Sequence, residues 1–222
     1  MPLSTDGGLT TLEILSIEYK AVGFSFGGRF QLSNINLAFR KGTLYGLCGK
    51  NGSGKTTLML LLLGIYPNYR GEILINGINQ KQYNLKKLRS CVIHYTEQTP
   101  VFFDEPMVKN FELFEGERRP FLQVKTYIQM LGLHNIVSLE DDALRFSEHY
   151  QYSAGELAKI AILRSLVLKK SVYIWDEPDT ALDEAAKQAL IKILKELSNE
   201  AIVVIITHNS DLLNACETIY HL

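Results

Sequence analysis

The stretch Gly49-Lys50-Asn51-Gly52-Ser53-Gly54-Lys55-Thr56-Thr57 constrains the chain more than any other, because it fits the pattern G-x-x-x-x-G-K-[ST] in the setting that pattern requires. An apolar run, Thr43-Leu44-Tyr45-Gly46-Leu47-Cys48, reads as a strand leading in, and Thr57 to Leu63 reads as a helix leading out. Glycines at 49, 52 and 54 let consecutive backbone N–H groups turn inward around an anion, and the helix N-terminus adds its partial positive charge. The residues Asn51, Gly52, Ser53, Gly54, Lys55, Thr56 and Thr57 are therefore expected to cradle the phosphates of a nucleoside triphosphate. Lys55 would reach the β and γ oxygens, and Thr56 would offer its hydroxyl to Mg²⁺.

Composition narrows the class. With 222 residues, 46% of them hydrophobic, the chain can bury a full core. A formal net charge of -1 argues against a broad nucleic-acid-binding face, so no nucleic-acid partner is expected. The pairs Lys86-Lys87 and Lys169-Lys170 read as solvated helix ends. Cys48, Cys91 and Cys216 lie far apart in or beside apolar stretches and read as reduced core residues of a cytoplasmic protein, neither a disulfide framework nor a zinc site. No segment approaches the roughly 20 apolar residues that span a bilayer. Met1 to Gly8 lacks the basic and apolar regions of a secretory signal. Any connection to a membrane is thus expected to run through another segment or another chain.

The texture of the chain changes along its length. From Ile14 to about Leu47, runs such as Leu32-Ser33-Asn34-Ile35-Asn36-Leu37 alternate at period two, as half-exposed antiparallel strands do, with turns at Gly27-Gly28 and Lys41-Gly42. A strand near Glu72 to Ile75, a turn at Asn76-Gly77 and a strand near Cys91 to Tyr95 follow. From Met107 to Leu168 the pattern is mostly helical, including Phe121 to Leu133 and Glu156 to Val167. Strand and helix then alternate: Ser171 to Trp175, Glu184 to Leu197, Ala201 to Ile206, and a final short helix and strand. Val203-Val204-Ile205-Ile206 has the continuous apolar character of a strand covered on both faces, so an α/β core with an inserted helical lobe is expected.

Chemistry-bearing residues collect where such strands end. Asp176-Glu177 closes the apolar run Val172-Tyr173-Ile174-Trp175: Asp176 would hold Mg²⁺, and Glu177 could accept a proton from the water that attacks the γ-phosphate. His208 follows the next apolar strand and could bond the γ-phosphate or orient that water. Gln98, after Tyr95-Thr96-Glu97, could meet the ion or its water. Tyr152-Ser153-Ala154-Gly155-Glu156 opens a helix with Ser153 and Glu156 spaced as a capping box, and a helix start with small residues is also an anion site. His94, His134, His149 and His221 show no paired spacing.

In this order, Gly49 to Thr57, Gln98, Tyr152 to Glu156, Asp176-Glu177, Ala181-Leu182-Asp183 and His208 resemble the ATPase domain of ABC transporters along nearly the whole chain. The resemblance implies an α/β P-loop NTPase (RecA-like) core with an N-terminal antiparallel β subdomain and an inserted helical subdomain. Residues 10–100 and 170–222 would form the nucleotide-binding lobe and 101–169 the helical lobe. It implies an ATPase using ATP and Mg²⁺, with Lys55, Glu177 and His208 catalytic and Thr56, Gln98 and Asp176 at the metal. Ser153 and Gly155 match the signature element that meets the γ-phosphate of a second such domain, identical or different, in a head-to-tail pair. Phe26 falls where the family stacks an aromatic on adenine, and Asp183 on another functional position.

Gly71 to Gly77 and Pro100 to Phe111 look like the exporter-type segments, and the latter implies contact with a transmembrane domain, fused or separate, at the cytoplasmic side of a membrane. Three features depart from the family pattern. Ala154 replaces a glycine of the signature, Leu144 to Gln151 lacks the usual glycines, and the chain ends soon after Glu217 to His221 where many exporter domains add a helix. Two other readings fit the same residues: a non-transport member of this ATPase class, or a nucleotide-sensing module with weak hydrolysis.

Overall fold

The structure, a computed structural model, describes residues 8–11, 13–27, 30–112, 116–140, 143–146 and 151–222. Gly28, most of Met1 to Gly8, residues 147–150 of the glycine-poor segment and His149 lie outside the described residues.

In chain order, β1 (Ser16–Phe26) and β2 (Phe30–Arg40) precede β3 (Leu44–Cys48), the phosphate loop and α1 (Lys55–Leu62). Then come β4 (Arg70–Ile75), β5 (Ile78–Asn79), α2 (Leu85–Lys87), a widened helical turn at Leu88–Val92 and β6 (Ile93–Thr96). The middle of the chain holds α3 (Lys109–Glu112), α4 (Phe121–Met130), β7 (Val137–Glu140), β8 (Ala143–Phe146) and α5 (Ala154–Leu166). Last are β9 (Val172–Asp176), α6 (Glu184–Ser198), β10 (Ile202–Ile206), α7 (Ser210–Asn214) and β11 (Thr218–His221).

The strands separate by their burial pattern. β3, β9 and β10 are buried at every residue and sit inside a parallel sheet of order β11-β3-β10-β9-β6, as continuous apolar runs require. β1 alternates buried and exposed residues for most of its length and joins an antiparallel sheet of order β2-β1-β4-β5. That sheet is not made of the N-terminal segment alone: β4 and β5 return to it from beyond α1, Ile17 opposing Ile75. The hairpin between them turns at Asn76 and Gly77, both with positive φ (50° and 77°), the backbone form that an Asn-Gly pair adopts most readily.

Two apolar clusters meet across the parallel sheet. One gathers α1 with both sheets through residues such as Leu58, Ile17 and Val204; the other gathers α4, α5 and α6 through Tyr127, Leu163 and Leu190. The stretch expected to be mostly helical contains the antiparallel hairpin β7–β8, with Val137 opposite Phe146. Val137-Ser138-Leu139-Glu140 and Leu144-Arg145-Phe146 alternate at period two, so the signal was present but masked by the helices on either side. Cys91 lies in the widened turn rather than in β6. Lys170 is no solvated helix end: it is buried and its Nζ donates to the carbonyl of Ser90 at 2.6 Å.

Candidate active site

The phosphate loop connects β3 to α1, and its shape depends on its glycines. Gly49, Gly52 and Gly54 have φ of 146°, 79° and 103°, left-handed backbone that L side chains rarely adopt. Lys55, only 7% exposed, lays its Nζ back over the loop, donating to the carbonyls of Gly49 at 2.7 Å and Lys50 at 3.1 Å. Its charge is thereby held at the loop's centre. Ser53 Oγ is buried without a partner among the described residues, a polar atom left in the floor of the cradle.

Parallel pairing brings the acids to this loop. β9 and β10 run in register, Asp176 beside Ile206, so Glu177 and His208 leave the same edge of the sheet, where α/β ligand sites form. Asp176, 6% exposed, accepts hydrogen bonds at Oδ2 from Thr56 Oγ1 at 2.6 Å and Tyr95 Oη at 3.2 Å. Burial, and then the neighbouring Asp176 charge, push the Tyr95 hydroxyl above its ordinary pKa and keep it a donor. Glu177 adopts φ 48°, strained for a side chain of its length, and its N–H donates to the Ile206 carbonyl at 2.8 Å. Its Oε2 accepts from Gln98 Nε2 at 2.6 Å, and His208 Nε2 lies 3.8 Å from Oε1. Gln98 therefore reaches the acid expected to handle the attacking water.

Lys55, Thr56, Gln98, Asp176 and Glu177 line one cleft of about 420 Å³, together with Phe26, Asn51, Gly52, Gly54 and Thr57, while Tyr95 and His208 stand outside its lining. Phe26 is 43% exposed at its edge, with its ring set edge-on against Phe24 (centroids 4.6 Å apart) and Tyr66 (5.0 Å). An exposed aromatic propped by two others at the rim of a phosphate loop offers a face to a flat ligand. Tyr66 and Tyr95 were not singled out from the sequence. Tyr95 sits three residues before Gln98, but only strand pairing carries its hydroxyl to Asp176.

Ser153 and Gly155 do not line this cleft. Ser153 caps α5, accepting from the Glu156 N–H, while the Glu156 carboxylate accepts from the Ser153 N–H at 2.8 Å, the reciprocal pair expected from their spacing. Ala154 is exposed in the first turn of α5 with no positive φ, so its methyl strains no backbone. A Cβ on Gly155 would meet the Ala181 carbonyl at 3.2 Å, which ties this helix start to the Ala181-Leu182-Asp183 segment. Asp183 in turn caps α6, accepting from Ala186 N–H at 2.8 Å, and pairs with Lys159 of α5 at 2.7 Å. The Lys159 ammonium and the capped N–H hold its carboxyl below the usual range.

No group of three or more His, Cys, Asp or Glu side chains that could hold a metal occurs among the described residues, and none of their helices is long and apolar enough to cross a membrane. Cys48, Cys91 and Cys216 form no disulfide with one another.

The profile of the ABC transporter family matches residues 32–180. A putative ABC transporter ATP-binding protein of Pyrococcus horikoshii is 33% identical over 207 residues, 88% of this chain and 75% of that protein. A probable ABC transporter ATP-binding/permease protein of Haemophilus influenzae is 26% identical over 93% of this chain, which spans only 38% of that longer protein. Among solved structures, a bacterial Atm1-family ABC exporter with ATP bound superimposes over the whole chain with a TM-score of 0.81 at 20% identity, this chain covering 39% of it. A glycine-rich loop between β3 and α1, two carboxylates at the end of β9 and the capped start of α5 thus stand in an α/β P-loop fold, and the chain belongs to the ABC transporter family as one of its ATP-binding, ATP-hydrolysing domains.

Proposed function

We propose that this domain powers export across a membrane by binding and hydrolysing ATP in a head-to-tail pair, on the cytoplasmic side, against a transmembrane part. The observation that carries this reading is the division of the site. One chain assembles a cleft running from Phe26 to Glu177, while Ser153 and Gly155, exposed or half-exposed at the start of α5, stand outside it. A helix start whose N–H groups face no phosphate of its own chain suits a phosphate held by another. Names of relatives support the membrane and export parts: the Haemophilus protein joins an ATP-binding region to a permease, and the structural neighbour is an exporter.

Mg²⁺ fits the cleft. It keeps several waters and is held by one or two carboxylates with substrate phosphates, so it needs no all-protein cage. Thr56 and Asp176, 2.6 Å apart in the cleft, are the residues that would hold it, with the Gln98 amide oxygen near its water. When bound, the ion neutralises charge on the phosphate oxygens. The chain's own residues do the rest: Phe26 stacks on the base, the loop N–H groups and Lys55 stabilise the γ-phosphate, and Glu177 takes the proton of the attacking water with His208 orienting it.

Mixing two inactive variants tests the pairing. In a Lys55→Ala and Ser153→Ala mixture, each hybrid pair has one site carrying both changes and one carrying neither. Recovery of ATP hydrolysis above either variant alone is expected. No recovery at any protein concentration would refute pairing between identical chains.

A further inference from the structure

The two acids that end β9 are gripped by a single short segment. Tyr95 holds Asp176 and Gln98 holds Glu177, and both leave β6 within four residues of each other. The register explains Tyr95. It stands opposite Ile174 in the parallel pair β6–β9, and Ile174 and Asp176, two residues apart on a strand, share one face of the sheet. The ring therefore runs along the strand and its hydroxyl reaches the next position on that face.

Asp176 Oδ2 thus has two donors from separate elements, Thr56 at the start of α1 and Tyr95 on β6. They differ in what else they must do. Thr56 belongs to the phosphate loop and is itself a ligand for the ion in the reading above; Tyr95 is not in the loop and does not line the cleft. A carboxylate at a strand end is free to turn about its side-chain bonds, and a donor that stays in place keeps its plane aimed before anything binds.

We propose that Tyr95 is a positioning residue that pre-orients the Asp176 carboxylate for Mg²⁺, acting on the metal only through Asp176. This rests on the reading that Asp176 holds the ion. Partners that orient a metal ligand typically contribute ten- to hundredfold in metal affinity, and Tyr95, one of two donors, belongs at the lower end.

The test measures binding of a fluorescent ATP analogue to the full chain, with Mg²⁺ and with a chelator, for Tyr95→Phe and Asp176→Asn. Tyr95→Phe removes one oxygen and keeps the ring packing. Expected are unchanged affinity without Mg²⁺, an enhancement by Mg²⁺ reduced about tenfold in Tyr95→Phe, and one abolished in Asp176→Asn. Wild-type enhancement in Tyr95→Phe alongside its loss in Asp176→Asn would overturn the inference and leave the metal site standing. Wild-type enhancement in Asp176→Asn would overturn the metal assignment and the inference with it. An equal fall with and without Mg²⁺ in Tyr95→Phe would mean that the hydroxyl only supports the fold, which also overturns the inference.

Discussion

Replacing Glu177 with Gln separates proton transfer from everything else this residue does. The substitution keeps length, shape and one acceptor oxygen, so the bond from Gln98 Nε2 at 2.6 Å can persist and the strained φ of 48° is the same in both proteins. Folding stability should therefore stay within about 0.5 kcal/mol, the range of changes that break no packing. What is lost is the base: an amide does not accept a proton at neutral pH. Positioned general bases contribute about 10² to 10⁴ in rate, which at about 1.4 kcal/mol per decade is roughly 3 to 5 kcal/mol of barrier. Steady-state ATP hydrolysis with saturating Mg²⁺-ATP, Lys55→Ala serving as the control for contaminating activity, should show kcat falling by about 10³, with nucleotide affinity retained. His208, whose Nε2 is 3.8 Å from the Glu177 carboxylate, provides a second check. If the two orient one water, His208→Ala should cost far less in the Glu177→Gln background than in the wild type. A Glu177→Gln protein with kcat within about a factor of two of wild type, too small for the loss of a general base, would refute the assignment.

His94 is buried against Thr96 (2.9 Å), and burial, with Lys170 and Arg164 adding to it, pushes its pKa down to about 3. Since the unfolded chain takes up a proton near the ordinary value of about 6.5 and the folded one does not, its contribution is complete above that pH and is lost as pH falls, by at most about 1.4 kcal/mol per unit. Urea unfolding of His94→Gln should accordingly show a shallower acid-side loss of stability than wild type. Gly49→Ala would force a side chain onto φ 146° and drive its methyl into the Leu222 carbonyl oxygen, so a loss of about 1–3 kcal/mol in thermal or denaturant unfolding and of nucleotide binding is expected. Ala154→Gly, by contrast, restores the family's residue where no positive φ requires it; it should lower stability by up to about 1 kcal/mol without raising ATP hydrolysis, and a tenfold gain in hydrolysis would show that the methyl obstructs the partner site.

What could be read without coordinates was governed by neighbours in the chain. The glycine positions of the phosphate loop, the Ser153–Glu156 cap, the Asn76-Gly77 turn and the buried run Val203 to Ile206 each depend on backbone freedom, reach or apolarity within a few residues, and each took the form its local pattern demanded. Other features depended on segments far apart in sequence. That β4 and β5 complete the sheet begun by β1, that Lys170 finds the Ser90 carbonyl, that Glu177 is held in a left-handed backbone between Gln98 and His208, and that the Tyr95 hydroxyl reaches Asp176 all follow from strand order and register. The residue types needed for phosphate and acid–base chemistry were thus set by the sequence itself. Which atoms touch was decided only when the parallel sheet aligned the ends of β6, β9 and β10, because a hydrogen bond of 2.6 to 3.2 Å depends on register between strands that no local pattern specifies.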